Sequence, residues 1–352
     1  MKTLCLIAGL CALGLTACAS QKYHHVRAHE TIASSEISVQ RARARNVILM
    51  IGDGMGAEHV WAAWLSNQGK LNMTALPVTG FSITTSGSHT VTDSAAGGTA
   101  IACGCKAVNG QLGLNVQGDS VESLAEQMRR AGKATGLVVT KSVTDATPAA
   151  FYAHVRSRKD TPAIAAALVN AGFDVVAGGG RADFTQEQRD LLQRRSRLLE
   201  LAAEGECEAA GKRGDWLPQM VKRALSELEK DEDGFFLMVE GSKIDISAHV
   251  NDLPETVREV LDFDQAVGVV LEWMKKHPDT LLVVTADHQT GGLSILGGDK
   301  EKREVEGRFT TFWHSGVAVP LYAAGCGASA FGGVRDNTQI APEIRQAAGM
   351  KP

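Results

Sequence analysis

The chain has 352 residues, with 36 Lys plus Arg against 40 Asp plus Glu, a net charge of −4 and 44% hydrophobic residues. That length supports one or two substantial cores, and the lack of any low-complexity tract marks a globular protein. A near-balanced charge offers no broad basic face, which excludes a nucleic-acid-binding role, and no acidic or basic block is long enough to act as a tail.

At the N-terminus, Lys2 and the apolar stretch Leu4 to Leu15 have the charge and length of a secretory signal rather than a membrane span. The run Leu15-Thr16-Ala17-Cys18 resembles the lipobox of bacterial lipoproteins. That resemblance implies a signal over 1–17, cleavage before Cys18 and lipid on its thiol. The product would be exported and lipid-anchored to a bacterial membrane, facing the periplasm or the exterior. An ordinary signal with an incidental Cys18 is the other reading. Of the seven cysteines, Cys103, Cys105, Cys207 and Cys326 lie beyond this region and form no CxxC pair, which argues against a cysteine metal site and assigns no disulfide. Residues 18–43, rich in His, Ser, Ala and Arg without periodicity, read as a lipidated tether, leaving 44–352 as one catalytic domain.

Past the tether, apolar runs alternate with helical patterns. Val47 to Ile51, Gly136 to Val139, Phe235 to Val239, Leu281 to Val284 and Val319 to Tyr322 read as buried parallel strands. Val121 to Ala131, Thr161 to Ala171, Leu217 to Leu228 and Thr256 to Lys276 show the three-to-four-residue apolar spacing of helices. The alternation predicts a three-layer α/β/α sandwich around a central, mostly parallel sheet. Thr185 to Lys230 is charged and reads as peripheral helices, interrupted near Gly205 and from Gly211 to Asp215. No internal repeat or linker divides the region.

Acidic and histidine residues recur just past the predicted strands, where open α/β sheets place their ligand crevice. Asp53 sits between Gly52 and Gly54; alone, this is a turn or cap as readily as a ligand site. Glu240 ends a strand, and Asp245 and His249 follow four residues apart, so a helix aims both at one point. Asp287-His288 follows the next strand, and His314 precedes the last. Several carboxylates and three histidines in such places favour metal, and oxygen with imidazole nitrogen suits zinc and magnesium in a hydrolytic site. Ser94, ahead of Ala95-Ala96-Gly97-Gly98, lies at an apparent helix start that favours an anion; alone it reads first as an N-cap. Asp145 and Thr147 precede Pro148, from which a helix could present Arg158 near the same crevice.

In order, spacing and residue type, these segments resemble the alkaline phosphatase family from Asn46 to Gly349. The resemblance is carried by Ile51-Gly52-Asp53-Gly54-Met55-Gly56, Thr92-Asp93-Ser94-Ala95-Ala96-Gly97, Asp145-Ala146-Thr147-Pro148-Ala149-Ala150, Val239-Glu240-Gly241-Ser242-Lys243-Ile244-Asp245, Thr285-Ala286-Asp287-His288 and His314-Ser315-Gly316. It implies hydrolysis of phosphate monoesters through a phosphoserine on Ser94, with Arg158 holding phosphate. It also implies two zinc ions and one magnesium ion. One zinc would be held by Asp245, His249 and His314 and the other by Asp53, Asp287 and His288, with magnesium on Asp53, Thr147 and Glu240 and Asp145 reaching it through water. Assembly as a homodimer is expected on the resemblance alone. A phosphodiesterase of the same superfamily, or a non-catalytic phosphate-binding lipoprotein, is the alternative; a sulfatase is disfavoured because Ser94 lacks the Ser-x-Pro-x-Arg context. Two departures stand out. Ile246 follows Asp245 where the family often has a basic or imidazole side chain, and the short interval from His288 to His314 leaves no room for a large inserted domain. Residues 181–216 match the family poorly and take no function.

Overall fold

The structure is a computed structural model that describes residues 19–32, 39–40 and 42–350; the signal and Cys18 lie outside the described residues. In chain order the first strands are β1 (Gln21–His24), β2 (Asn46–Gly52), β3 (Val78–Ile83), β4 (Ala134–Ser142), β5 (Val175–Gly179), β6 (Leu198–Leu201) and β7 (Phe235–Gly241). They are followed by β8 (Thr280–Thr285), β9 (Gln289–Thr290), β10 (Ser294–Asp299), β11 (Glu304–Arg308), β12 (His314–Ser315), β13 (Val319–Gly325) and β14 (Gly333–Asp336). Nine of them form the central sheet in the order β14-β3-β13-β8-β2-β7-β4-β5-β6.

The continuous apolar strands follow from burial on both faces, since pleating sends alternate side chains to opposite sides. Val47, Leu49 and Ile51 of β2 join one core with the helices Ser94–Cys103, Leu124–Arg130 and Thr161–Ala171. Ile48 and Met50 join the other, with Trp216–Leu228 and Leu253–Met274. Trp216–Leu228 buries Leu217, Met220, Val221, Ala224, Leu225 and Leu228, the single apolar stripe of a helix lying on a sheet. The expected three-layer sandwich is what forms. Because β2, β4, β7 and β8 run parallel, their carboxyl ends share one edge, and the loops carrying the acidic and histidine residues leave from it.

The reading of Val319 to Tyr322 as a parallel strand is corrected. β13 runs antiparallel to both β3 and β8. An apolar run buried on both faces carries no directional information, so its sense could not be read from its residues. The reversal has a consequence for the site: β13 enters the sheet at the edge where β8 leaves it, which brings His314, just before β13, beside Asp287 and His288, just after β8.

Two other segments differ from expectation. Within the stretch read as peripheral helices, Leu198–Leu201 is the edge strand β6, paired parallel with β5; four half-buried residues in an Arg-rich stretch give no periodic signal. Part of the segment read as a tether is docked. β1 pairs with β11, His29 Nε2 lies 2.8 Å from the buried Asp264 Oδ2, and the Ile32 N–H donates to Asn72 Oδ1 at 2.8 Å.

Candidate active site

Ser94 opens the helix Ser94–Cys103, but the N-cap is Asp93, whose side chain accepts from Ala96 N at 3.0 Å and Gly110 N at 2.9 Å. Capping by the neighbour leaves the Ser94 hydroxyl uncommitted to its own helix. Ser94 is 2% exposed, and its Oγ lies 3.2 Å from His288 Nε2. The small residues after it allow a close approach. A Cβ at Gly97 would stand 3.0 Å from Asp287 O, and one at Gly98 3.3 Å from Thr147 Cα. The N-terminal turn of the helix that begins with Ser94 is thus wedged between the loops carrying Asp287 and Thr147.

Asp245 and His249 share a face of the short helix Lys243–His249, as their spacing predicts, with His249 Nε2 3.2 Å from Asp245 Oδ1. His249 Nδ1 bonds to Phe312 O at 2.6 Å and His314 Nδ1 to Thr92 O at 2.8 Å. Backbone carbonyls accept only, so both Nδ1 atoms carry protons and both Nε2 atoms are turned toward the site. Those two Nε2 atoms face each other at 3.1 Å, with Asp245 Oδ1 3.5 Å from that of His314. Two ring nitrogens and a carboxylate oxygen converging so closely form a donor set that suits a cation.

Asp53, Asp245 and His288 form a second cluster, fully or almost fully buried, and in each cluster the donor atoms lie within 4.8 Å of one another. Asp245 therefore borders both, where the sequence assigned it to one. His288 Nε2 lies 3.3 Å from Asp287 Oδ2 and 3.4 Å from Asp53 Oδ1, so Asp287 also belongs with the second cluster. Thr290 Oγ1 links the two, donating to Asp245 Oδ1 at 2.5 Å and facing His288 Nδ1 at 3.2 Å.

Deeper still, Asp53 Oδ1 and Oδ2, Thr147 Oγ1, Glu240 Oε1 and Asp287 Oδ2 are buried with no hydrogen-bond partner among the described residues. Burial, and then the charge of Asp287, pushes Asp53 well above the carboxylate range. Burial and then Asp145 push Glu240 up to about 8, and burial and then Asp245 push Asp287 up to about 7. Burial also holds His288 well below its ordinary value, helped by His314. For Asp245 burial acts upward, but the hydrogen bond from His249 and the nearby imidazoles outweigh it and bring it down. Carboxylates crowded in low dielectric beside neutral imidazoles are satisfied by divalent cations, and this donor set of O and N atoms without sulfur fits zinc and magnesium.

Arg158 reaches the site from a loop, not a helix. After Pro148 the helix Ala146–Ala149 ends, Val155 bridges to Leu112, and Arg158 N donates to Gly110 O at 2.8 Å. Its guanidinium stands between Asp93 Oδ2 at 3.5 Å and Asp145 Oδ1 at 3.4 Å. Asp145 also meets Lys141, whose Nζ is 2.7 Å from Oδ2. Burial would raise Asp145, yet Lys141 and then Arg158 outweigh it and hold its carboxyl below its usual range. Ile246, next to Asp245, is half-buried and brings no charge. The sequence-predicted residues thus converge, and four more join them: Asp93, Lys141, Ser242 and Thr290. None of the four carries a signal of its own: Asp93, Ser242 and Thr290 look like ordinary polar residues, and a lysine at the end of a buried strand reads as the point where the strand meets water.

Comparison with known proteins gives a consistent picture. The family model described as alkaline phosphatase matches residues 44–215 and 193–306, so it covers the whole stretch 181–216 expected to match poorly and stops before His314. Alkaline phosphatase 4 of Bacillus subtilis (strain 168) is 36% identical over 332 residues, covering 84% of this chain and 69% of that protein. Alkaline phosphatase 3 of the same organism is 36% identical over 288 residues, and the match spans 71% of this chain and 62% of that one. Among solved structures, the alkaline phosphatase from the Antarctic bacterium TAB5 superposes with a TM-score of 0.83 at 31% identity, covering 89% of this chain and 100% of that one. A variant of that enzyme is described with Mg bound in its M3 site.

Proposed function

The chain belongs to the alkaline phosphatase family and is by that membership a phosphomonoesterase, and from this premise we propose that it hydrolyses phosphate monoesters through a phosphoserine formed on Ser94. In this reading Asp245, His249 and His314 hold one zinc ion, and Asp53, Asp287 and His288 hold a second. Asp53, Thr147 and Glu240 hold magnesium, with Asp145 reaching it through water. The facing His249 and His314 nitrogens and the orphaned oxygens of Asp53, Thr147, Glu240 and Asp287 support the assignment. When bound, such ions act as Lewis acids that favour the ionised hydroxyl and draw charge from phosphate and leaving oxygens.

The chain's own residues bind, orient and react. Arg158 takes two nonbridging oxygens with its planar fork, and Asp93 and Asp145 hold the guanidinium from either side. The helix N–H groups behind Ser94 add positive potential toward the phosphate. Ser94 Oγ loses its proton to water and bonds to phosphorus while the ester P–O bond breaks; the alcohol leaves with the electron pair and takes a proton from solvent. A water oxygen then bonds to phosphorus and loses a proton, the Ser94 Oγ–P bond breaks, and Ser94 regains its proton as phosphate leaves.

The observation that carries this reading is the uncommitted, buried Ser94 hydroxyl beside two carboxylate-imidazole clusters. Acid quench during turnover of an aryl monoester, followed by peptide mass analysis, should find phosphate on Ser94. Ser94→Ala should lower turnover by roughly a thousandfold or more with metals retained. A phosphate trapped on another residue, or a fully active variant, sinks the assignment.

The residue that would carry a lipid, Cys18, lies outside the described residues, and no helix among those described is long and apolar enough to cross a membrane. We propose export and lipid attachment at Cys18 from the lipobox alone, with 44–352 as the catalytic domain and assembly as a homodimer on family resemblance. Metabolic labelling with a fatty acid should tag the protein and fail for Cys18→Ala; equal labelling of both rejects the anchor.

A further inference from the structure

Lys141 is a charged, site-facing group that neither the motifs nor the proposed reaction uses. It sits at the end of β4 with its side chain 9% exposed, and its Nζ lies 2.7 Å from Asp145 Oδ2. Its backbone is anchored as well. Thr140 N and Lys141 N both donate to Ser242 Oγ at 3.2 Å, and Ser242 Oγ in turn donates to Glu240 Oε2 at 2.7 Å. One strand end is therefore tied through its main chain to Glu240 and through its side chain to Asp145.

From Lys141 a chain of alternating charge runs outward. Asp145 Oδ1 meets Arg158 Nη2 at 3.4 Å, Arg158 Nη1 meets Asp93 Oδ2 at 3.5 Å, and Asp93 caps the helix that begins with Ser94. An aliphatic side chain could occupy a buried strand position without the desolvation cost of an ammonium, so the charge is the informative feature. Around it lie the carboxylates of Asp53, Asp145 and Asp245, while the residue following Asp245 is the uncharged Ile246.

We propose that Lys141 is a positioning residue of the phosphate pocket, whose fixed ammonium holds Asp145, and through it Arg158, while opposing the binding of a divalent cation at Glu240 and Thr147. The inference rests on the reading of Ser94, Arg158 and the metal clusters given above. It separates two effects that move in opposite directions. Loss of the ammonium frees Asp145 and Arg158, which weakens phosphate; it also removes a like charge from beside the cation, which strengthens magnesium.

The test uses calorimetry on the zinc-loaded protein, titrating inorganic phosphate and, separately, magnesium chloride into wild type and Lys141→Met. Phosphate should bind about tenfold more weakly in the variant, the weight of one charge-assisted contact. Magnesium should bind several-fold more tightly, as expected when a nearby like charge is removed. A tightened site is not a result that general damage to the fold produces. If Lys141→Met does not fold, Lys141→Gln removes the charge and keeps a polar end. Weaker phosphate together with tighter magnesium supports the proposal, and either affinity left unchanged overturns it. Wild type that neither binds phosphate nor turns over an aryl monoester overturns instead the reading on which the proposal rests.

Discussion

Asp53, Glu240, Asp287 and His288 on the floor of the site are fully buried, whereas the side chains of His314, His249 and Arg158 at its mouth are 14%, 26% and 26% exposed. The mouth side chains are pre-oriented by protein partners: carbonyls fix both imidazoles, and two carboxylates hold the guanidinium. On the floor, oxygens of Asp53, Glu240 and Asp287 have no hydrogen-bond partner among the described residues. The difference separates two jobs. The floor concentrates buried carboxylates whose charge is costly to keep, which raises Glu240 and Asp287, and the mouth is aligned by the protein's own carbonyls and carboxylates.

The largest expected effect comes from breaking the floor. Asp287→Asn should lower turnover by roughly a thousandfold or more, because a ligand beside His288 and the loop near Gly97 lose their carboxylate. In the metal-free protein the same change should raise the melting temperature, since a buried repulsion is removed. The two outcomes have opposite signs, and a destabilised metal-free variant would contradict the account of the floor.

A pH scan of the metal-free protein sharpens the contrast. Glu240 and Asp287 are pushed up to about 8 and about 7 by burial and their charged neighbours, from ordinary values of 4.5 and 3.8. The folded state therefore holds protons that the unfolded chain has released, and stability falls as pH rises through those folded values. His288, held well below 6.5 by burial, acts oppositely: its contribution is lost as pH falls below 6.5, where the unfolded chain takes up the proton. His249, raised by its bond to Asp245, has the same sign as the two carboxylates. Between pH 6.5 and about 8 the downward slope is left without opposition from His288. The melting temperature should drop across that window without metals and stay level with zinc and magnesium added; identical slopes in both conditions would count against cations as the partners of the floor.

The floor was also the more legible half in the sequence. Asp53, Glu240 and Asp287-His288 each lie at or just past the carboxyl end of a parallel strand, and an apolar run followed by an acidic residue is a local pattern. Ser94 was legible as a helix start, although the cap proved to be Asp93. The mouth depended on geometry that no local pattern carries. His314 reaches the site because β13 runs against its neighbours, and Arg158 because a loop is pinned by Gly110 and by the bridge from Val155 to Leu112. Lys141 was hidden for a third reason. A single lysine at the end of an apolar strand reads as the point where the strand meets water, and only the fold shows it turned inward to Asp145.

The smallest effect belongs to the rim beyond the mouth. Trp313 is 74% exposed and stands edge-on to His249, ring centroids 6.2 Å apart at 79°. Phe312 and Val250, 42% and 67% exposed, flank the same ligand in sequence or contact. The exposed ring of Trp313 is expected to act through an apolar part of the leaving group. Trp313→Ala should then raise KM for an aryl phosphate about threefold, the weight of one aromatic contact, and leave kcat unchanged. With glycerol phosphate, which offers no ring, KM should not move. An equal rise for both esters would mean that Trp313 acts by holding His249, because a displaced metal ligand penalises every substrate alike. Steady-state comparison of the two esters therefore decides whether the rim reads the alcohol or merely braces the mouth.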